Sequence, residues 1–348
     1  MKISIGMLAY NEAQGIRQTL ESFLQQSLFR TSDRGWDIEI IAVPNGCRDN
    51  TAAIMRQTLG AMINAQDYPG VTWQVHELQR PGKSNAWNHY VHQFSDPQAD
   101  YIFMVDADIL FPDHDTLLPL LELLEQQPQV DVTVDQPVKD VLLKSNKTVI
   151  EHLSSFVSQL SGNSGAAWLC GQLYCARATL LRQIYIPAAL PAQDAFLYEM
   201  LTTNCLTTPM QRDRIARAPG TRHIFEAYTN WRQLLKHERL MLIAKVTNAA
   251  VFEQLRGALQ PNSQPQAASA LCREWDQQDP KWVKNLIRSK QKTRSGWLVP
   301  TQFWQRRFLN LGNKSLFKQV ILLPMAIGAM AVDLLVLYSA NRELAKIK

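Results

Sequence analysis

The feature that most constrains this fold is an alternation. Through about residue 220, short apolar runs rich in β-branched side chains alternate with amphipathic stretches of helical period. Residues 3–9 read as a strand, and 13–28 as a helix carrying Ile16, Leu20, Phe23 and Leu24 on one face. Residues 38–43 form a second strand, with a helix expected after Asn50-Thr51. Residues 71–78 alternate with period two, and a helix follows over 84–94. Residues 101–105 are apolar throughout, and the Leu-rich stretch 116–127 is helical. Strands separated by helices in this way build an α/β fold, a mainly parallel sheet sandwiched by helices. Ligands of such sheets sit beyond the carboxyl ends of the strands. Three polar clusters stand at such ends: Tyr10-Asn11-Glu12, Asn45-Gly46 and Asp106-Ala107-Asp108.

Composition narrows the class only a little. With 46% hydrophobic and 19% charged residues among 348, the chain has the makings of a packed core and is not a disordered polymer. A formal charge of +5 is compatible with an anionic ligand or a lipid surface, and no nucleic-acid partner is expected from it. Five cysteines without CxxC spacing argue against a disulfide framework or a structural zinc site. The first residues lack the apolar core of a secretory signal, so a cytoplasmic location is expected.

Three segments carry chemistry. Asp106 and Asp108 follow a buried strand with small Ala107 between them, and carboxylates at i and i+2 of an extended segment point to one side. Such a pair can share one hard divalent cation, Mn2+ or Mg2+, and through it a diphosphate. Gly82-Lys83-Ser84 lacks the upstream glycine of a P-loop, since Glu77 stands in that place. It reads instead as a glycine turn entering a helix, with Lys83 available to a phosphate or Ser84 acting as a cap. Residues 43–51 leave a strand through an Asn-Gly turn and enter a capped helix, where Asn45 is free to meet a base or ribose or simply to shape the turn.

Taken in order, Leu8-Ala-Tyr-Asn-Glu12, Val43-Pro-Asn-Gly-Cys-Arg-Asp-Asn-Thr51, Gly82-Lys-Ser-Asn-Ala-Trp-Asn88 and Val105-Asp-Ala-Asp108 resemble the donor-site motifs of family 2 inverting glycosyltransferases with the GT-A fold. Gly171-Gln-Leu-Tyr-Cys-Ala-Arg177 resembles that family's acceptor-side strand, and Pro191-Ala-Gln-Asp194 its catalytic-base segment. The resemblance covers about residues 1–240 and implies a role for each matching position. Ala9, Tyr10 and Glu12 would line the nucleotide base and Asn45 would meet the uracil or ribose, while Lys83 would approach the donor site and Asp106 the ribose and diphosphate. Asp108 would hold the metal, and Asp194 would deprotonate an acceptor hydroxyl for a single inverting displacement. Arg222 would pair with the diphosphate, and His223 would complete the metal shell or serve as an ordinary structural histidine.

The sequence departs from the family pattern at Pro44-Asn45-Gly46, where Asp-Asp-Gly is frequent, and at Gln193-Asp194, where Glu-Asp is frequent. Leu240 stands where processive synthases carry Trp, so transfer of a single sugar is expected, from a UDP-linked donor onto a hydroxyl acceptor, lipid-linked or part of a cell-envelope glycan. A nucleotidyltransferase of similar fold and a catalytically silent membrane-associated binding protein are the alternatives. The expected organisation is a catalytic domain over 1–225, a helical and basic acceptor-side region over 226–312, and an apolar C-terminal helix over 313–348. Within the latter parts, 231–252 reads as a helix, 260–268 as a polar linker and 288–295 as a basic loop. The charge-free stretch 319–332 is shorter than the roughly 20 apolar residues of a spanning helix. Two readings follow: a helix held at or in the cytoplasmic face of a membrane, or a buried core helix.

Overall fold

The computed structural model describes residues 1–30, 34–63, 67–142, 167–227, 230–293, 297–300 and 316–345. Two compact units divide the chain. The first comprises Met1–Ala188, Gln193–Ala227 and Leu259–Glu274, and the second Ala189–Ala192, Tyr228–Ala258 and Trp275–Lys348.

The first unit is built on eight strands: β1 (Lys2–Ala9), β2 (Asp37–Pro44), β3 (Val71–Val75), β4 (Tyr101–Asp106), β5 (Ile109–Leu110), β6 (Val132–Lys139), β7 (Leu173–Arg177) and β8 (Ile215–Phe225). They form one sheet in the order β3-β2-β1-β4-β7-β6-β8-β5. β3, β2, β1 and β4 run parallel, as the sequence pattern requires. β7 enters antiparallel between β4 and β6, β8 is parallel to β6, and short β5 closes the edge antiparallel to β8. The sheet is therefore mixed beyond β4.

Alternation along β1 shows how the two faces are covered. Ile3, Ile5, Met7 and Ala9 join a core with Ile16, Leu20, Phe23 and Leu24 of helix α1 (Ile16–Leu24), Met55 and Leu59 of α2 (Thr51–Met62), and Leu117, Leu120, Leu121 and Leu124 of the later helix Leu117–Gln126. On the other face lies α3 (Lys83–His89), continued by one π-helical turn over Tyr90–Phe94. There Tyr90 donates its hydroxyl hydrogen bond to Ser4 Oγ at 3.0 Å. A Cβ on Gly6 would stand 2.2 Å from the Tyr90 ring, so the missing side chain is what admits that aromatic. Trp87 Nε1 donates to the Tyr174 hydroxyl at 2.7 Å, tying α3 to β7.

In the second unit the helices Trp231–Ala258, Trp282–Thr293 and Leu316–Ala345 share a core of Leu242, Ile243, Val246, Ala250, Ile287, Val336, Leu337, Ala340 and Leu344. The expected basic loop is overturned up to Thr293: Val283 and Ile287, four apart, bury one side of a helix on which Lys284, Arg288 and Lys292 face outward. Residues 294 and 295, with Arg306, Arg307 and Lys314, lie outside the described residues. The expected polar linker ends early, because the helix Gln266–Gln278 begins within it. Among the described residues no helix is long and apolar enough to cross a membrane. The helix Leu316–Ala345 is instead two-faced. Val336, Leu337, Ala340 and Leu344 are buried, while Leu323, Ile327, Leu334, Leu335 and Tyr338 are exposed.

Candidate active site

β1 is paired with β2 on one side and with β4 on the other, and the chain winds outward in both directions from there. Loops leaving β1 and β4 must diverge at that point, which opens a crevice beyond the carboxyl ends of the strands. The crevice is a cleft of about 390 Å³ lined by Leu8, Ala9, Tyr10, Glu12, Asn45, Pro81, Gly82, Lys83 and Asp106-Ala107-Asp108. Its volume falls in the range of sites for small molecules, roughly 300–1,000 Å³. Seven sequence-predicted residues, Ala9, Tyr10, Glu12, Asn45, Lys83, Asp106 and Asp108, meet in it.

Backbone pairing fixes the acidic turn. Asp106 N–H donates to Gln172 O at 2.8 Å and Ala107 N–H to Leu8 O at 3.1 Å, and Thr19 Oγ1 donates to Ala107 O at 2.9 Å. The loop after β1 is fastened to the loop after β2. Asn11 adopts a φ of 56°, Glu12 N–H donates to Thr51 Oγ1 at 2.8 Å, and Ala13 N–H donates to Asp49 Oδ2 at 3.1 Å. This leaves the Tyr10 ring about half exposed on the cleft.

Asn45 does more structural work than its sequence position suggested. It is buried, its Nδ2 donates to Ala9 O at 2.8 Å, and its Oδ1 accepts from Gly82 N–H at 2.9 Å. The amide thus clamps the end of β1 to the turn that carries Lys83. Next to it, Gly46 has φ +66°, and a Cβ there would lie 2.6 Å from Pro81 N. Only glycine allows the two turns to approach so closely.

Lys83 is the charge centre. Its Nζ donates to Asp106 Oδ2 at 2.5 Å and to Gly171 O at 3.1 Å. Burial opposes the ammonium charge, but the carboxylates of Asp106, Asp194 and Asp108 outweigh it and hold the Lys83 pKa above the ordinary lysine value. One lysine does not neutralise the acids around it. Burial, followed by repulsion from Asp108 and Asp194 against the attraction of Lys83, pushes Asp106 up to about 7. Burial and repulsion from Asp108, Asp49 and Asp106 likewise push Glu12 up to about 7. A surplus of carboxylate charge in a cleft is the electrostatic condition that a divalent cation relieves. Among the described residues no three His, Cys, Asp or Glu side chains form a cage of their own. Mg2+ and similar ions commonly take one or two carboxylates and complete their shell from substrate phosphates and water. The residues present fit that mode.

Asp194 opens the helix Asp194–Thr202 as its first residue, behind Gln193, and no side chain caps that helix. Its carboxylate lies against Gly171: a Cβ at residue 171 would stand 2.0 Å from Asp194 Oδ1. Lys83 Nζ donates to the carbonyl of the same Gly171, and Asp194 belongs to the same charge cluster as Asp106 although it does not line the cleft. Gly171 and Gln172 are the functional positions that motif reading left without roles. The signal was the bare glycine before β7, whose need became visible only against Asp194.

The last two predicted residues are engaged elsewhere. Arg222 is exposed and pairs with Asp113, Nε to Oδ2 at 2.8 Å. His223 is fully buried, with Nδ1 at 2.7 Å from Asp135 Oδ2 and Nε2 at 3.3 Å from Gln172 Oε1. Gln172 also accepts the Asp106 backbone hydrogen bond, so His223 stands one residue removed from the acidic turn.

The family described as Glycosyl transferase family 2 matches residues 4–184, a little over half of the chain. No curated protein sequence matches it. Among solved structures, the chain is similar to a mannosyltransferase from Pyrobaculum calidifontis in complex with GDP-Man and Mn2+, at 16% identity and a TM-score of 0.58, over 99% of this chain and 87% of that one. It is similar at a TM-score of 0.47 and 18% identity to glucosyl-3-phosphoglycerate synthase from Mycobacterium tuberculosis, over 72% and 79% of the two chains. The fold likeness extends over the whole chain, while the sequence match covers the strands and turns that build the cleft. On that match the chain belongs to glycosyl transferase family 2, a glycosyltransferase of GT-A-like fold.

Proposed function

We propose that the protein moves one hexosyl unit from a nucleoside-diphosphate sugar, UDP-linked by its motif resemblance, to an acceptor hydroxyl with inversion. The observation that carries this reading is the gathering of Asp106, Asp108 and Asp194 around Lys83, with Glu12 facing Asp106 and Asp108, beside one cleft. Tyr10 offers an exposed ring on which a base can stack, and Ala9 lines the same cleft. Asn45 acts chiefly by holding the Gly82 turn, and through it Lys83, in place. Lys83 steadies Asp106 and the donor diphosphate. Asp108, with Asp106, would hold Mn2+ or Mg2+, which when bound supplies charge stabilisation to the leaving diphosphate. His223 is oriented by Asp135, an arrangement that suits a histidine ligand once the Gln172 side chain turns aside. Arg222 reaches a diphosphate only by leaving Asp113.

In the displacement, the acceptor hydroxyl gives its proton to Asp194 as its oxygen bonds to the anomeric carbon. The bond from that carbon to the diphosphate oxygen breaks, and the nucleoside diphosphate leaves with the electron pair. Gly171 gives Asp194 the space to take this role, since a side chain there would occupy the position of its carboxylate. For the acceptor, the exposed apolar stripe of the helix Leu316–Ala345 supports a lipid-linked or membrane-surface substrate.

The deciding experiment is a screen of nucleotide sugars with Mn2+ or Mg2+, reading release of nucleoside diphosphate. With the active donor, Asp194→Asn is expected to lower kcat by about 10²–10⁴, the usual range for loss of a general base. Asp108→Asn is expected to abolish the response to metal. Full turnover in either variant, or no turnover with any donor, defeats the reading.

A further inference from the structure

Exposed large apolar side chains are few in the described part of the first unit: Tyr10, Trp168 and Met210. Tyr10 lies on the cleft. Trp168 is the more unusual, with 56% of its surface exposed. It is not a loose side chain, because its ring stacks on buried Tyr198 with centroids 4.5 Å apart and planes 25° apart. One face of the indole is therefore fixed on protein and the other is presented outward.

Two independent connections place this ring beside Asp194. Tyr198 follows Asp194 by four residues on the same helix, so the two side chains are neighbours about 5–6 Å apart at Cβ. Trp168 also precedes by three residues the glycine whose Cα approaches the Asp194 carboxylate. A rigid aromatic face one helical turn from the base has the spacing of one ring of a bound substrate.

We propose that Trp168, seated on Tyr198, is the acceptor platform and that the acceptor presents a pyranose ring to it. The inference rests on the reading of Asp194 as base. The C–H bonds on one face of a pyranose form a flat apolar surface that packs on an indole, while its hydroxyls remain on the edge to meet a carboxylate. An acyl or prenyl chain needs a groove of several apolar side chains, and among the described residues Trp168 is the exposed large apolar side chain tied to the Asp194 helix. The reaction therefore extends an existing glycan or glycoside rather than starting on a bare lipid alcohol.

The test uses methyl glycosides of glucose, mannose, galactose and N-acetylglucosamine, with glycerol and prenol as hydroxyl acceptors that lack the ring. Two readouts are taken: steady-state nucleoside diphosphate release, and saturation-transfer NMR of the glycosides on the full chain, which needs no turnover. At least one glycoside is expected to bind and to be glycosylated. Trp168→Ala should raise its KM about tenfold or more with a far smaller change in donor KM, and Trp168→Phe should recover most of the loss. The proposal falls if Trp168→Ala leaves acceptor KM and NMR contact unchanged, or if prenol is used better than every glycoside. Donor turnover persisting in those cases would leave the glycosyltransferase reading intact, so the two failures are separable.

Discussion

At the scale of single residues, the carboxyl groups of the cleft are in tension with their own burial. Glu12 is held at about 7, against an ordinary 4.5, first by burial and then by Asp108, Asp49 and Asp106. A raised carboxyl pKa means that the folded protein keeps its proton over a pH range in which the unfolded chain has lost it. Stability therefore falls as pH rises from about 4.5 to about 7, and levels above that. Asp106, also held near 7, adds a contribution of the same sign beginning near 3.8. The metal-free protein is expected to melt at progressively lower temperature across this window, and Glu12→Gln should flatten part of the slope. Thermal melts at half-unit pH steps check it, and a wild-type melting temperature that rises from pH 5 to pH 7 contradicts it. The motif made Glu12 visible in the sequence. Its coupling to Asp49 and Asp108 comes from loops that meet only in the fold.

At the scale of elements, the cleft depends on turns that approach more closely than side chains permit. Gly46, at φ +66° and with Pro81 N 2.6 Å from its would-be Cβ, sets the distance between the turn after β2 and the turn before α3. Gly46→Ala is expected to cost about 1–3 kcal/mol from the strained backbone alone. It should also raise donor KM, because Gly82 hangs from Asn45 and Lys83 follows Gly82. Chemical denaturation and donor titration measure the two effects, and a variant normal in both would refute the coupling. This also marks how far the sequence could be read. The parallel half of the sheet was legible because short apolar runs buried on both faces and helices of period 3.6 leave distinct patterns, and the turns after β1, β2 and β4 follow from it. The contacts made by Asn45, Gly171 and Gln172 were not legible, since each depends on a partner far along the chain, as Asn45 does on Ala9, 36 positions before it, and Gly171 on Asp194. The helix Trp282–Thr293 was misread because its lysines and arginine outnumber the two buried residues, Val283 and Ile287, that hold it in place.

At the scale of the whole molecule, the charge of +5 conceals a division. The second unit carries eighteen Lys and Arg against six Asp and Glu, a balance of +12, which leaves −7 for the first unit, the one that bears the acidic cleft. The same basic unit presents Leu323, Ile327, Leu334 and Tyr338 to solvent. At 100° per residue these four fall within an arc of about 60° on the helix Leu316–Ala345. Val336, Leu337, Ala340 and Leu344 occupy a neighbouring arc centred about 120° away, in the core of the unit. An apolar stripe on a strongly basic body is the pattern of a helix lying in the interface of an anionic bilayer, where each nearby Lys or Arg adds roughly 1 kcal/mol of attraction. Full-length protein is accordingly expected to float with vesicles containing phosphatidylglycerol and to stay behind with pure phosphatidylcholine. Raising salt to about 0.5 M shortens the Debye length well below 10 Å and should release most of it. Ile327→Glu with Leu334→Glu should weaken flotation at low salt while leaving turnover of a soluble methyl glycoside intact, because neither side chain belongs to the cleft. Equal flotation on both lipids, or a stripe that proves to be covered by a second copy of the chain in light scattering, would remove the membrane from this account and leave the acceptor in solution.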